Sequence, residues 1–398
     1  MTLHQRAAAL LSANDRGRYT VPSAHLYPHQ WAWDSAFAAI GWAYVDPARG
    51  LTEIESLLAG QWKDGRVPHI QFHHLSGDYF PGPEVWKAER TTTITNPPVW
   101  ALALHRLLEA GADPAALRAA LPAVDRSHAF YLAHRDPLSW GGVAVVHPWE
   151  SGLDNSPAWD LPLSAVDPST APSFRRVDKD KVADPSMRPS DDEYRRYIAL
   201  VDQIARDDFG PGGFAVYDPF MTAVLAIAES ALAALALKLR VDTEANQRAA
   251  RAVDCLVEKL WSPTEGRFRY YDVPGQRWLA PDILAAHIPI IADVPGAIRQ
   301  SVLRSLGDRY DVAHPFPTVA TGADLFDPVL YWRGPTWVNT NWFLCRVPEL
   351  RDDLRRRTLD LVRATGFWEY YHPHTGAGLG ADQFTWSAAL TLDLLAGD

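Results

Sequence analysis

Four aromatic segments of this 398-residue chain stand out, and three of them carry an acid. Asp34 ends the run Trp31-Ala32-Trp33-Asp34, with Tyr27 and Gln30 just before it. Glu150 and Asp154 share Trp149-Glu150-Ser151-Gly152-Leu153-Asp154, and Glu369 lies in Phe367-Trp368-Glu369-Tyr370-Tyr371. The fourth run, Tyr331-Trp332-Arg333-Gly334-Pro335-Thr336-Trp337, is aromatic without an acid. Carboxylates among aromatic rings suit the cleavage of a glycosidic bond. One carboxyl donates a proton to the leaving oxygen and the other activates water on the opposite side of the anomeric carbon. Flat rings pack on the C–H faces of a sugar and keep bulk water out. These runs nominate Asp34, Glu150, Asp154 and Glu369 and do not by themselves select the pair. Three of them also have a structural role to offer. Asp34 would cap a helix beginning at Ser35, Asp154 would shape the turn before Asn155-Ser156-Pro157, and Glu369 would be a surface acid.

Helices must position these segments. The 3.6-residue period dominates the chain, with about a dozen helical runs. Among them are Asp34–Val45, Pro98–Ala110, Asp125–His134, Phe220–Arg240, Pro281–Ala292 and Thr385–Leu395. Strand-like runs are few and short, such as Phe268–Val273 and Gly142–His147. The absence of strand–helix alternation excludes a TIM barrel and a Rossmann sheet. Helices arrive in consecutive pairs without a fixed repeat, which disfavours a solenoid and suits a closed ring of pairs. Phe220–Leu237, apolar on nearly all faces, fits an inner helix of such a ring. Long aromatic loops join the helices, at 19–33, 65–86, 141–163 and 318–335, and loops of that length in a compact domain are usually functional. No linker interrupts the pattern, so residues 1–398 are expected to form one catalytic domain, with a polar, proline-containing flap at 165–190.

Composition narrows the classes further. A net charge of −10 argues against a nucleic-acid or anionic-membrane partner. The longest apolar stretch, Ala223–Leu237, is short for a bilayer span, and no signal-peptide core follows Met1, so a cytoplasmic protein is expected. The two cysteines cannot build a disulfide framework or a zinc site alone. No phosphate loop, dinucleotide fingerprint, serine nucleophile elbow or HExxH motif occurs. His69, His73 and His74 cluster without a carboxylate at ligand spacing, so neither metal nor cofactor is expected. There are 16 tryptophans, a large number for this length and one that suits a carbohydrate site.

Five segments, in order, resemble glycoside hydrolase family 63, above all its compact bacterial members acting on mannosylglycerate and glucosylglycerate. They are Gln30-Trp31-Ala32-Trp33-Asp34-Ser35, Asp78-Tyr79-Phe80-Pro81-Gly82-Pro83, Trp149 to Ser156, Tyr331 to Pro335, and Phe367 to Tyr371. The resemblance implies an all-α (α/α)6 barrel and metal-independent hydrolysis of a small α-glycoside with inversion. It assigns Asp154 as general acid and Glu369 as general base, and an inverting pair stands roughly 6.5–9.5 Å apart to admit water. It places Tyr27, Trp31, Trp33, Asp34, Gly152, Trp332 and Trp337 around the sugar, with Gln30 in the same segment. Around a glycerate leaving group it places Tyr79, Tyr331 and an arginine of the flap, for which Arg188 matches best and Arg196 is the rival. A guanidinium holds a carboxylate bidentately. Asn96 stands where those relatives carry Gln, one methylene longer, so its contact with the leaving group is expected to be lost or bridged by water. Asn96 would alternatively cap a helix from Pro97. A homo-oligomer is expected from the resemblance alone.

Three other functions fit parts of the pattern. An exo-α-glucosidase or trehalase-like enzyme would use the same barrel and acids on a neutral glucoside. A sugar epimerase or isomerase would recruit His69 and His73 for proton transfer. A glycan-binding protein would explain the tryptophans and leave the paired acids without a task.

Overall fold

The computed structural model describes residues 1–74, 79–181, 184–207 and 213–397. Twelve helices carry the architecture. In chain order they are α1 (Leu3–Ala13), α2 (Ala32–Trp42), α3 (Pro47–Leu58), α4 (Trp100–Glu109), α5 (Pro114–His134) and α6 (Asp191–Arg206). Then come α7 (Pro219–Leu239), α8 (Ala245–Cys255), α9 (Gly296–Arg309), α10 (Val338–Leu344), α11 (Pro348–Thr365) and α12 (Thr385–Ala396).

Six elements pack side by side into a closed inner ring: α2, α4, α7, a pair of 3₁₀ turns (Leu284–Ala286 and Ile288–Ile291), α10 and α12, which returns to α2. Each inner element has an outer partner, respectively α3, α5, α8, α9, α11 and α1. This is the all-α barrel of paired helices that the sequence implies. The inner helices α2, α7 and α12 are apolar round most of their circumference because neighbours pack on most sides, and every residue of α2 is buried. Outer helices keep one apolar stripe; on α11 only Leu354, Thr358, Leu361 and Val362 are buried.

Local signals set the helix starts. Asp46, Asp113 and Asp218 each accept two backbone N–H bonds at an N-cap, with proline at the first helical position. Ser190 and Glu193 close a capping box on α6. The core helix α7 is long and apolar enough to cross a membrane by length and composition, beyond the Ala223–Leu237 stretch taken from sequence. Its most apolar window is 72% buried inside the protein, as befits the barrel's core.

Two expected helices differ. Pro281–Ala292 forms the 3₁₀ pair rather than one helix, since Pro289 brings no N–H to continue the ladder. The helix expected from Asp125 begins instead at Pro114, and Pro122 is accommodated inside it. Among the described residues, the largest sheet is small: Ala144–Val145, Val216–Tyr217, Tyr270–Asp272 and Arg277–Leu279 pair antiparallel in that order.

Candidate active site

The acid-bearing loops converge where the chain enters the inner helices. Asp34 sits in the first turn of α2, and Trp332 lies shortly before α10. Phe384 caps α12 and Trp386 opens it, while Asn96 precedes α4. Helix N-termini present unsatisfied N–H groups and a partial positive charge, a favourable setting for several carboxylates. One cavity opens there, enclosing about 890 Å³ with the solvent at its mouth.

Asp154 reaches this cavity from a tight turn. The 3₁₀ turn Pro148–Ser151 ends at Gly152, whose φ of 71° lies in the left-handed region. A side chain at Gly152 would overlap the indole of Trp33, so glycine serves both the turn and the close approach. The turn chemistry expected of Asp154 falls to its neighbours. The Ser151 hydroxyl accepts from Leu153 N, and Ser156 caps the following turn. Tyr197 donates to the Asp154 carbonyl at 2.9 Å, and Asn155 receives Trp332 N at 2.9 Å. The Asp154 carboxyl is left facing the cavity. Burial, reinforced by the nearby charge of Glu369 and opposed by Arg188, pushes its pKa up to about 7.

Glu369 is 1% exposed and held from several sides. Its Oε1 accepts from Tyr27 OH at 2.8 Å, Tyr331 OH at 3.3 Å and Arg188 Nη1 at 3.5 Å. Its Oε2 accepts from Ala381 N at 3.0 Å. Gly380, at φ 70°, lets that segment pass where a side chain would strike the carboxylate. Tyr331 itself adopts φ 41°, unusual for a non-glycine residue and found at a position that touches the carboxylate. Asp34 completes the acids: burial first, then Glu369 and Asp154, raises its pKa well above the ordinary value.

Of the residues singled out from sequence, Tyr27, Trp31, Trp33, Asp34, Tyr79, Asn96, Gly152, Asp154, Arg188, Tyr331, Trp332 and Glu369 all line this one cavity. Gln30 and Trp337 do not. Gln30 is wholly buried among Glu53, Ser56 and His73. Trp337 stacks face to face behind Trp332, with ring centroids 3.6 Å apart, and supports that wall from the core.

Several other expectations change. Asp34 is not a cap, since α2 begins at Ala32 and Trp31 is its N-cap. Asn96 is not a cap either. Val99 precedes α4, while the Asn96 amide donates to the Trp149 carbonyl at 3.0 Å and its Oδ1 is buried without a partner. Glu150 is structural: it pairs with buried Arg135 at 2.8 Å and accepts from the N–H groups of Thr95 and Val146. Arg196 turns to Asp192 and the Leu163 and Ser164 carbonyls, away from the cavity. His69 and His73 part company, for His69 lines the cavity while His73 stacks on Tyr19 at 3.8 Å and bonds Gln30. Among the described residues no group of three His, Cys, Asp or Glu is placed to hold a metal. Asp78 of the second motif, and Val182 and Ala183 of the flap, lie outside the described residues.

Sequence reasoning missed His69, Trp149, Asp178, Lys181, Tyr194, Phe384 and Trp386 as lining residues. Trp149 opens a motif already singled out for its acids; Tyr194 lies on α6, whose amphipathic pattern marks a buried face and not what that face meets.

Known proteins resemble this chain along nearly its whole length. Residues 27–387 match the family model of the mannosylglycerate hydrolase MGH1-like glycoside hydrolase domain. A mannosylglycerate hydrolase of Thermus thermophilus is 38% identical, over 97% of this chain and 99% of its own. A glucosylglycerate hydrolase of Mycolicibacterium hassiacum is 34% identical, over 99% of this chain and 97% of its own. The crystal structure of a GH63 mannosylglycerate hydrolase from Thermus thermophilus, in complex with Tris and D-glycerate, superposes with a TM-score of 0.94. It shares 38% identity and covers 99% of this chain and 100% of its own. The neutral trehalase Nth1 of Saccharomyces cerevisiae, 13% identical with a TM-score of 0.56 over 98% of this chain and 79% of its own, shares the fold. The chain therefore belongs to the MGH1-like glycoside hydrolases, and it is a glycosidase acting on a small-molecule glycoside.

Proposed function

We propose that this enzyme hydrolyses 2-O-α-D-mannosyl-D-glycerate or 2-O-α-D-glucosyl-D-glycerate to the free sugar and D-glycerate, with inversion at the anomeric carbon. One observation carries the reading. Two carboxyl groups in a single aromatic cavity sit in different surroundings: burial raises Asp154 to about 7, while Glu369 takes hydrogen-bond donors on both oxygens. Such a difference in environment distinguishes an acid from a base.

Asp154 then gives its proton to the glycosidic oxygen as the C–O bond breaks. Water attacks the anomeric carbon from the far side and passes its proton to Glu369. The rings of Trp31, Trp33 and Trp332, with Tyr27, Asp34 and Gly152, surround the sugar. Tyr79, Tyr331, Asn96 and Arg188 face the leaving group. Arg188 is supported over Arg196 because it alone lines the cavity and is 8% exposed. Segment 165–190 brings Arg188 and Asp178 to the mouth and serves as the flap.

The test supplies mannosylglycerate, glucosylglycerate and trehalose to wild type and to Asp154→Asn. Glycerate release from at least one of the first two, lost in the variant, is the result expected. Faster cleavage of trehalose than of both glycerates would overturn the substrate class and favour the neutral-glucoside reading.

A further inference from the structure

We propose that Arg188 ties the activity of the general base to the charge of the leaving group: its guanidinium contacts Glu369, and a substrate carboxylate draws it off and so frees the base. This rests on the functional reading above.

The argument starts from the donors around Glu369. A carboxylate offers about four lone-pair sites on two oxygens, and a general base needs one of them within reach of the water it deprotonates. Here Oε1 already faces Tyr27 OH, Tyr331 OH and Arg188 Nη1, and Oε2 takes Ala381 N. Two tyrosines and a backbone N–H are fixtures of the wall. Arg188 is the exception: it comes from the flap, just after the 3₁₀ turn Pro185–Met187, and its hold on Glu369 is loose at 3.5 Å. The rest of its guanidinium is incompletely used. Nη2 donates to Tyr27 OH at 2.9 Å, while Nε is buried without a hydrogen-bond partner, 3.7 Å from Asp178 Oδ2. The group lies over the Tyr331 ring at 4.4 Å, a face along which it can shift without losing its aromatic contact.

An incoming carboxylate offers this guanidinium a bidentate partner, shorter and stronger than one 3.5 Å contact. The exchange takes the cation off Oε1, where the attacking water then competes only with two neutral hydroxyls. The chemistry remains that of simple hydrolysis: the water oxygen bonds to the anomeric carbon, its proton goes to Glu369, and the leaving oxygen takes the bond pair and the Asp154 proton. A glycoside without an anionic aglycone leaves Arg188 on the base. Selectivity for the anion then appears in kcat as well as in KM.

The decisive substrate is the α-glycosyl fluoride of whichever sugar the enzyme releases from its glycerate. Fluoride leaves the aglycone space empty and brings no carboxylate. Added D-glycerate is expected to accelerate wild-type fluoride hydrolysis saturably, by about fivefold or more. Arg188→Met is expected to hydrolyse the fluoride faster than unassisted wild type and to ignore glycerate. If glycerate inhibits the wild-type reaction or leaves it unchanged, or if the wild type cleaves no fluoride with glycerate present, the coupling is wrong whatever the variant does. Failure of activation with normal turnover of a glycerate glycoside removes only this proposal; failure to turn over either glycerate glycoside removes the functional reading beneath it.

Discussion

The Tyr27 hydroxyl donates a 2.8 Å hydrogen bond to Oε1 of Glu369, joining a loop near the start of the chain to one near its end. The bond closes the barrel's mouth across 342 positions and fixes the carboxylate proposed as base. Tyr27 also receives Arg188 Nη2, so a single hydroxyl links the flap to the base.

Tyr27→Phe should therefore loosen Glu369 without emptying the cavity. A fall in kcat of about tenfold is expected, of the order of one hydrogen bond to a charged group. Steady-state kinetics on the preferred glycerate glycoside checks it, with KM changing less than kcat.

Asp154→Asn should retain the fold and lose about 10²–10⁴ in kcat on a glycerate glycoside. An α-glycosyl fluoride, whose departure needs little proton assistance, should be spared most of that loss. Comparing the two substrates in one variant separates an acid from a residue that merely shapes the site.

The pH profile follows from the acid. Asp154 must carry its proton, and its pKa lies at about 7. kcat/KM should thus decline above about pH 7, approaching tenfold per pH unit. Glu369 contributes to that elevation, so neutralising it in Glu369→Gln should move the Asp154 midpoint down. Carboxyl ¹³C NMR of labelled aspartate reads the shift directly.

Asp34 stores instability. Its folded pKa lies well above the ordinary value, chiefly through burial, so the native state binds a proton that the unfolded chain releases. Stability from this group is fully present below the unfolded pKa, near about 4, and is lost as pH rises through the raised folded value. Asp34→Asn should accordingly raise the Tm of the empty enzyme, by a margin that widens with pH, while lowering kcat/KM. Thermal melts at acidic and alkaline pH check the sign.

Much of this site could be read in the sequence because its chemistry is carried by short runs that a local turn keeps together. Trp33 and Asp34, Gly152 and Asp154, and Tyr331 and Trp332 each sit within a few residues. The closed ring followed from consecutive helix pairs and from one helix, α7, apolar on nearly all sides. What stayed hidden depends on long-range packing. Trp149 and Glu150 are adjacent, yet one lines the cavity and the other turns inward to Arg135, 2.8 Å away. Trp332 and Trp337 share a motif, but only the stack between them, 3.6 Å apart, decides which ring lines the cavity. Gln30 reads as a ligand beside Trp31 and is claimed by Glu53 and His73. Neighbouring side chains on a strand-like segment point opposite ways, and the sequence does not say which way is inward.

The most direct test of the paired roles of Asp154 and Glu369 is the anomer first released, followed by proton NMR from the moment enzyme meets the α-glycoside. A β-sugar appearing first, then mutarotating, is expected if water attacks opposite the leaving glycerate. An α-sugar appearing first would contradict the assignment of Glu369 as a base acting through water.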